Sequence, residues 1–194
     1  MEKDRLGAFI DAVMAIIMTI LVLELPRPAT YNVVGLWALR TNFLAYAISF
    51  FWLGAMWVNI HKSYHLVDKI SQKTVWKSII MLFFSSFFPY VTKLIADEFW
   101  NKTMQGFYGI IVLLITISVM AYYGELGIGI SRETPEDEKR AKVLELYKQK
   151  WIWLDIGIKV MGLILSITVF PPAMSCAVIV TLLFLVIPEQ LKED

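Results

Sequence analysis

Three ionisable side chains stand inside apolar runs. Asp11 lies in FIDAVMAIIMTILVLEL, and Asp155 and Lys159 lie in WIWLDIGIKVMGLIL. A charge in hydrocarbon is costly, so such residues mark ion or proton pathways, or pair with one another. Asp155 and Lys159 are four residues apart, a spacing that brings them together on one helix. Asp11 is followed by twelve residues without a charge before Glu24. It sits in the first turns of its helix, where the dipole favours a negative charge. Inside a membrane the dipole does little alone, so a partner is expected: Arg5, or a polar group on a neighbouring helix. Trp57, Asn59 and His61 are the candidates there.

Other chemistries are thinly represented. His61 and His65 share a helical spacing, but no nucleophile or metal-ligand set joins them. There is no CxxC, HExxH or glycine-rich phosphate loop. The single cysteine, Cys176, cannot form an intrachain disulfide. No catalytic residue and no metal site is assigned, no cofactor is expected, and the chain reads as something other than an enzyme. With 18 basic and 17 acidic side chains the formal net charge is +1. That balance leaves no basic surface for nucleic acid.

These residues are carried by apolar elements. The 194 residues are 58% hydrophobic and 18% charged, with a mean hydropathy of +0.62. A soluble domain of this size does not carry so much apolar surface. Six stretches approach the roughly 20 residues that a spanning helix needs. They are 6–25, 43–60, 75–96, 107–123, 151–170 and 173–187. The first stops at Pro26 and the fifth at Pro171-Pro172, because proline has no amide to donate and restricts the residue before it. The expected fold is therefore all-α: one membrane domain, residues 1–194, of six transmembrane helices. The N-terminal stretch reads as a retained helix rather than a signal peptide, since Asp11 interrupts it and no A-x-A site follows.

Lys and Arg give the orientation. Thirteen lie at one set of helix ends: Lys3 and Arg5, the four lysines of 61–77, the six basic residues of 132–150, and Lys192. Arg27, Arg40, Lys93 and Lys102 make four at the other. Positive charge collects on the cytoplasmic side, so both termini are expected there, in a multi-pass cell-membrane protein. The mixed-charge stretch EDEKRAKVLELYKQ reads as a short helix continuing the fifth span.

The first helix has an aliphatic column. Ile16, Ile20 and Leu23 share one face at i, i+4 and i+7, and Thr19 borders it. Asp11 lies about 140° from Ile16 at roughly 100° per residue, with Ala15, Met18 and Val22. On periodicity alone such a column equally suits packing or lipid.

Three motifs resemble one family. RLGAFIDAVMAI with TILVLEL (Arg5, Phe9, Asp11 and Glu24), WVNIH at Trp57–His61, and FFPY at Phe87–Tyr90 are similar to the first three helices of the transmembrane protein 175 family of endosomal/lysosomal potassium channels. Two family polar positions are apolar here, Ile10 and Ile60. The resemblance implies a potassium-preferring, modestly selective cation channel and a homotetramer around a central pore lined by the first helix. It places the constriction at Ile16, Ile20 and Leu23, with Thr19 as a polar neighbour and Glu24 at a mouth. Arg5, Asp11, Trp57, Asn59 and His61 would form a structural polar network. Potassium ions and the lipid bilayer are the expected partners. The sequence contains no TVGYG filter; aliphatic rings instead gate by dewetting. The alternative is a proton conductor or proton-coupled transporter working through Asp11, Asp155 and Lys159.

Overall fold

A computed structural model describes residues 3–65, 70–130 and 153–186. Helix α1 (Lys3–Leu23) ends before Pro26, as its sequence requires. A short helix α2 (Val33–Ala38) precedes α3 (Arg40–His65). Then come α4 (Gln72–Ser86), α5 (Phe88–Asp97) and α6 (Lys102–Ile130). Helix α7 covers 153–168. Helix α8 (Ala173–Thr181) follows the Pro171-Pro172 break and runs into a π-helical turn, Leu182–Val186. No strand occurs among the described residues.

The fold class is the expected one, all-helical and apolar. Among the described residues four stretches are long and apolar enough to cross a membrane: Lys3–Leu23, Arg40–Tyr64, Gln72–Asp97 and Lys102–Leu126. Apolar helices stand at the fifth and sixth expected positions, but their described lengths are shorter. The expected cytoplasmic helix in 136–149, the basic residues of 132–150, Lys69 and Lys192 lie outside the described residues.

Two local features differ from the expected spans. The third is broken at Phe87. Pro89, at the start of α5, has no N–H to continue the ladder. Phe87 N–H closes a tighter turn on the Phe84 carbonyl at 3.2 Å. The second addition is α2, capped by Asn32, whose side chain accepts the Gly35 N–H at 2.9 Å. Gly35 is required there: a Cβ would lie 1.9 Å from the Thr30 carbonyl oxygen.

Helix α1 packs on α3, α4 and α5, and α6 packs on α4, α5 and α8. The core runs from Leu6, Ile10 and Met14 of α1 through Leu53 and Ile60 of α3 to Val112 and Ile115 of α6 and Met174 and Val178 of α8. Small residues let α6, α7 and α8 approach closely, as helices in lipid do. A Cβ on Gly162 would lie 2.5 Å from the Ala177 Cβ, whereas one on Gly157 meets nothing within 4 Å. Gly162→Val is therefore expected to lower the yield of monodisperse protein and its thermal midpoint. Overpacking of this kind costs about 1–3 kcal/mol. Gly157→Ala, one and a half turns away, should be neutral or slightly stabilising. Equal behaviour of the two variants would refute this packing.

Candidate pore helix and its polar anchor

The buried residues of α1 are Leu6, Ile10, Met14, Ile17 and Leu21. Their spacing of four, four, three and four makes a single stripe. The opposite side is exposed among the described residues. Ala8, Ala12, Ala15 and Thr19 run along its middle, all exposed. Ile16 and Leu23 lie on the same side, 58% and 78% exposed. Ile20 is half-buried at the margin. The aliphatic column is thus one flank of a broad free face, with Thr19 near its centre. Val22 is also exposed, on the other flank, next to Met18, whose Cε faces Gly54 of α3. The Thr19 hydroxyl donates to the Ile16 carbonyl at 2.8 Å. This leaves its oxygen able to accept on the free side. Glu24 follows the last turn, half-buried, with its N–H on the Ile20 carbonyl.

Asp11 finds its partner on α3. The Trp57 Nε1–H donates to Asp11 Oδ1 at 2.8 Å. His61 stacks one turn further along α3 on the Trp57 ring, centroids 5.3 Å apart and planes 28° apart. Nearby, Gly7 N–H donates to the Tyr64 hydroxyl at 3.1 Å, and Lys3 Nζ lies 5.3 Å from that ring. Asp11, Trp57 and His61 are therefore brought together. Arg5 lies on the exposed side of the first turn. The Asn59 carbonyl accepts the Ser63 hydroxyl at 2.7 Å. Tyr64 and Gly7 were not singled out from sequence; a buried tyrosine has no motif until the helices are docked.

The two positions that depart from the family pattern share one environment. Ile10 and Ile60 are both buried in the core. Where the family pattern has polar groups, α1 and α3 here carry apolar ones. The indole–carboxylate bond is a direct polar tie between α1 and α3 at this level. Trp57→Phe keeps an aromatic ring at this position and removes the bond. A hydrogen bond to a charged group contributes roughly 1.5–3 kcal/mol when shielded; Asp11 is exposed, so about 1 kcal/mol is expected. Asp11→Ala and Trp57→Phe should each lower the thermal midpoint of the assembled protein, and the double variant should add little. Full additivity would break the proposed tie.

A second polar site lies deeper. Lys159 on α7 is 2% exposed. It pairs with Asp155, donates to Thr116 Oγ1 of α6 at 3.0 Å, and lies 5.1 Å from the Trp52 ring of α3. Trp52 also packs on Phe88, centroids 4.8 Å apart, and Phe88 stacks on Tyr108 at 5.7 Å. The break in the third span is thereby held between α3, α6 and the lysine.

Aromatic residues mark both ends of the bundle. Trp37 and Trp100 are exposed at one end, and Trp76 and Trp153 at the other. Between these ends the 25-residue span of α3 covers about 37 Å, enough for hydrocarbon plus interface. The spans, the two aromatic girdles and the polar ties inside them define a multi-pass helical membrane protein.

Its relatives narrow the class. The family model described as "Endosomal/lysosomal potassium channel TMEM175" matches residues 5–89. A potassium channel of Chryseobacterium sp. is 36% identical over 118 residues, 61% of this chain and 62% of that one. A potassium channel of Streptomyces collinus is 26% identical over 133 residues, 64% of this chain and 65% of that one. One of Chamaesiphon minutus is 34% identical over 102 residues, half of each chain. The matched region thus spans less than two thirds of each of these relatives. The crystal structure of a lysosomal potassium-selective channel TMEM175 homolog from Chamaesiphon minutus has the same fold, with a TM-score of 0.66 at 23% identity. That match covers 93% of this chain and 96% of the other. Residues 5–89 match the TMEM175 family model, and over nearly its whole length the chain has the fold of that homologue.

Proposed function

We propose that the chain is one subunit of a potassium-preferring cation channel, a homotetramer in the cell membrane with α1 lining the pore. The observation that carries this reading is the free face of α1. This is the most apolar of the four long spans, yet only 28% of its apolar window is buried, against 44, 44 and 50% for the others. One helix cannot enclose a pore. Closed rotational symmetry supplies the remaining walls and covers the free face. Ile16, Ile20 and Leu23 then form aliphatic rings, with Thr19 beside them and Glu24 at a mouth.

The physics sets the selectivity. Aliphatic rings offer no oxygen ligands, so they close the path by excluding water. Preference for potassium has to come from pore diameter, the Thr19 hydroxyl and backbone dipoles, and it is modest. The Glu24 carboxylate concentrates cations where it meets water. Cytoplasmic termini follow from the charge distribution along the sequence. No cofactor enters this mechanism; the permeant ion is the only ligand.

The proton-transport alternative would use Asp155 and Lys159. The ammonium donates to Asp155 and Thr116 and faces the Trp52 ring. A lysine satisfied on every side favours a brace over a relay. The test is purified protein in liposomes or a planar bilayer, potassium on one side and sodium on the other. An ohmic current reversing toward the potassium potential is expected. Silence, or current following only a proton gradient, would overturn the channel reading.

A further inference from the structure

The linker between α1 and α3 carries a dense group of exposed apolar side chains. Val33 is 82% exposed and Val34 74%, and Tyr31, Leu36 and Trp37 are exposed with them. This is not a loose loop. Asn32 caps α2, Thr30 Oγ1 donates to Asn32 Oδ1 at 3.1 Å, and Gly35 packs against the Thr30 carbonyl. A six-residue helix is far too short to span. A rigid scaffold holding valines and a tryptophan outward must still be covered by something other than water.

Its surroundings identify the cover. Asn42 Nδ2 donates to Asp97 Oδ1 at 3.2 Å, which sets the start of α3 beside the end of α5. Trp100 follows, 67% exposed, edge-on to Phe170 at 5.8 Å, and Lys102 Nζ donates to the Thr168 carbonyl at 2.8 Å. The aromatics therefore continue around this end of the bundle rather than forming one patch. Cations accompany them. The Arg40 guanidinium lies 6.0 Å from the Trp37 ring and donates to the Trp37 carbonyl at 3.3 Å, and Arg27 is exposed at the other side of the linker. Trp and Tyr with a basic rim are the composition of the lipid headgroup level, where rings sit at the acyl boundary and basic groups meet phosphate.

We infer that residues 31–40 form an interfacial anchor, with α2 lying along the headgroup–acyl boundary of the membrane, its Val33, Val34 and Trp37 side in the acyl region and Arg40 at the phosphates. The occupant is phospholipid, not a second copy of the chain. Because α2 is tied to the end of α1 by only nine residues, 24–32, lipid contact there fixes the depth of the α1 terminus. This rests on the membrane reading alone and stands whether or not the protein conducts potassium.

The test uses the full chain in phosphatidylcholine liposomes. Cys176, the single cysteine, is replaced by Ser, and a nitroxide is attached at Val34→Cys, or at Val33→Cys if the first variant does not reconstitute. Collision with dissolved oxygen and with a water-soluble nickel chelate is then measured. High oxygen and low nickel accessibility, with an immersion depth of about 5–10 Å, is the expected result. High nickel accessibility would mean that the segment stands in water. Low accessibility to both would mean that protein covers it. Either outcome overturns the anchor.

Discussion

Ile16→Asn and Leu23→Asn are each expected to raise the resting cation leak through the reconstituted protein by roughly tenfold or more, and to bring the potassium and sodium permeabilities closer together. A tenfold change needs only about 1.4 kcal/mol off the barrier. Both residues stand on the free face of α1, 58% and 78% exposed within one chain. In a symmetric assembly each substitution enters once per subunit, so several amides replace an apolar ring at one level. The amide wets a constriction that an aliphatic ring keeps dry. Val22→Asn is the control, because Val22 lies on the opposite flank, beside Met18 and α3. It should change the leak much less. An equal effect at Val22 would move the pore axis toward Thr19 and refute the Ile16–Ile20–Leu23 line. Loss of assembled protein is read separately by size-exclusion chromatography.

The sequence exposed the long helices because their apolar runs are close to membrane thickness and their ends are punctuated by proline. Pro26 and Pro171-Pro172 fall where α1 and α7 stop. The break at Phe87 was harder to see. FFPY sits inside one uninterrupted apolar run, and proline in a span can bend a helix or end it. What decides is tertiary: Phe88 is fixed between Trp52 and Tyr108. The α2 helix was missed because VVGLWA is short, contains glycine, and is apolar on too few residues to show a period. At the anchor, Asp11 could be recognised as needing a partner, and Trp57 was among the named candidates. Tyr64 and Gly7 depend on the crossing of α1 and α3, which no spacing along one helix encodes. Ile10 and Ile60 are legible as departures, but that both are buried in the core depends on the packing of the helices.

Breaking the Asp155–Lys159 pair is expected to cost more than any other charge change in the described chain. Lys159→Met leaves the Asp155 carboxylate buried, with Oδ1 already lacking a hydrogen-bond donor among the described residues. Asp155→Leu leaves the ammonium with only Thr116 and the Trp52 ring among the described residues. Removing one partner of a buried pair costs about 3–5 kcal/mol, whereas replacing both by apolar groups is often neutral. Each single variant should therefore lose most of its folded yield, and Asp155→Leu with Lys159→Met should recover much of it. Thermal midpoints in detergent complete the cycle, and the double variant should lose far less than the two single losses summed, as expected for neighbours in one network. Additive losses would mean that the two charges act independently, against the geometry of α7. The same variants separate brace from relay. If the double variant folds and still carries potassium current, the pair holds α7 against α3 and α6 and the ions pass elsewhere. If it folds but has lost a proton-driven flux present in the parent, the charges lie on the transport path and the pore reading of α1 gives way.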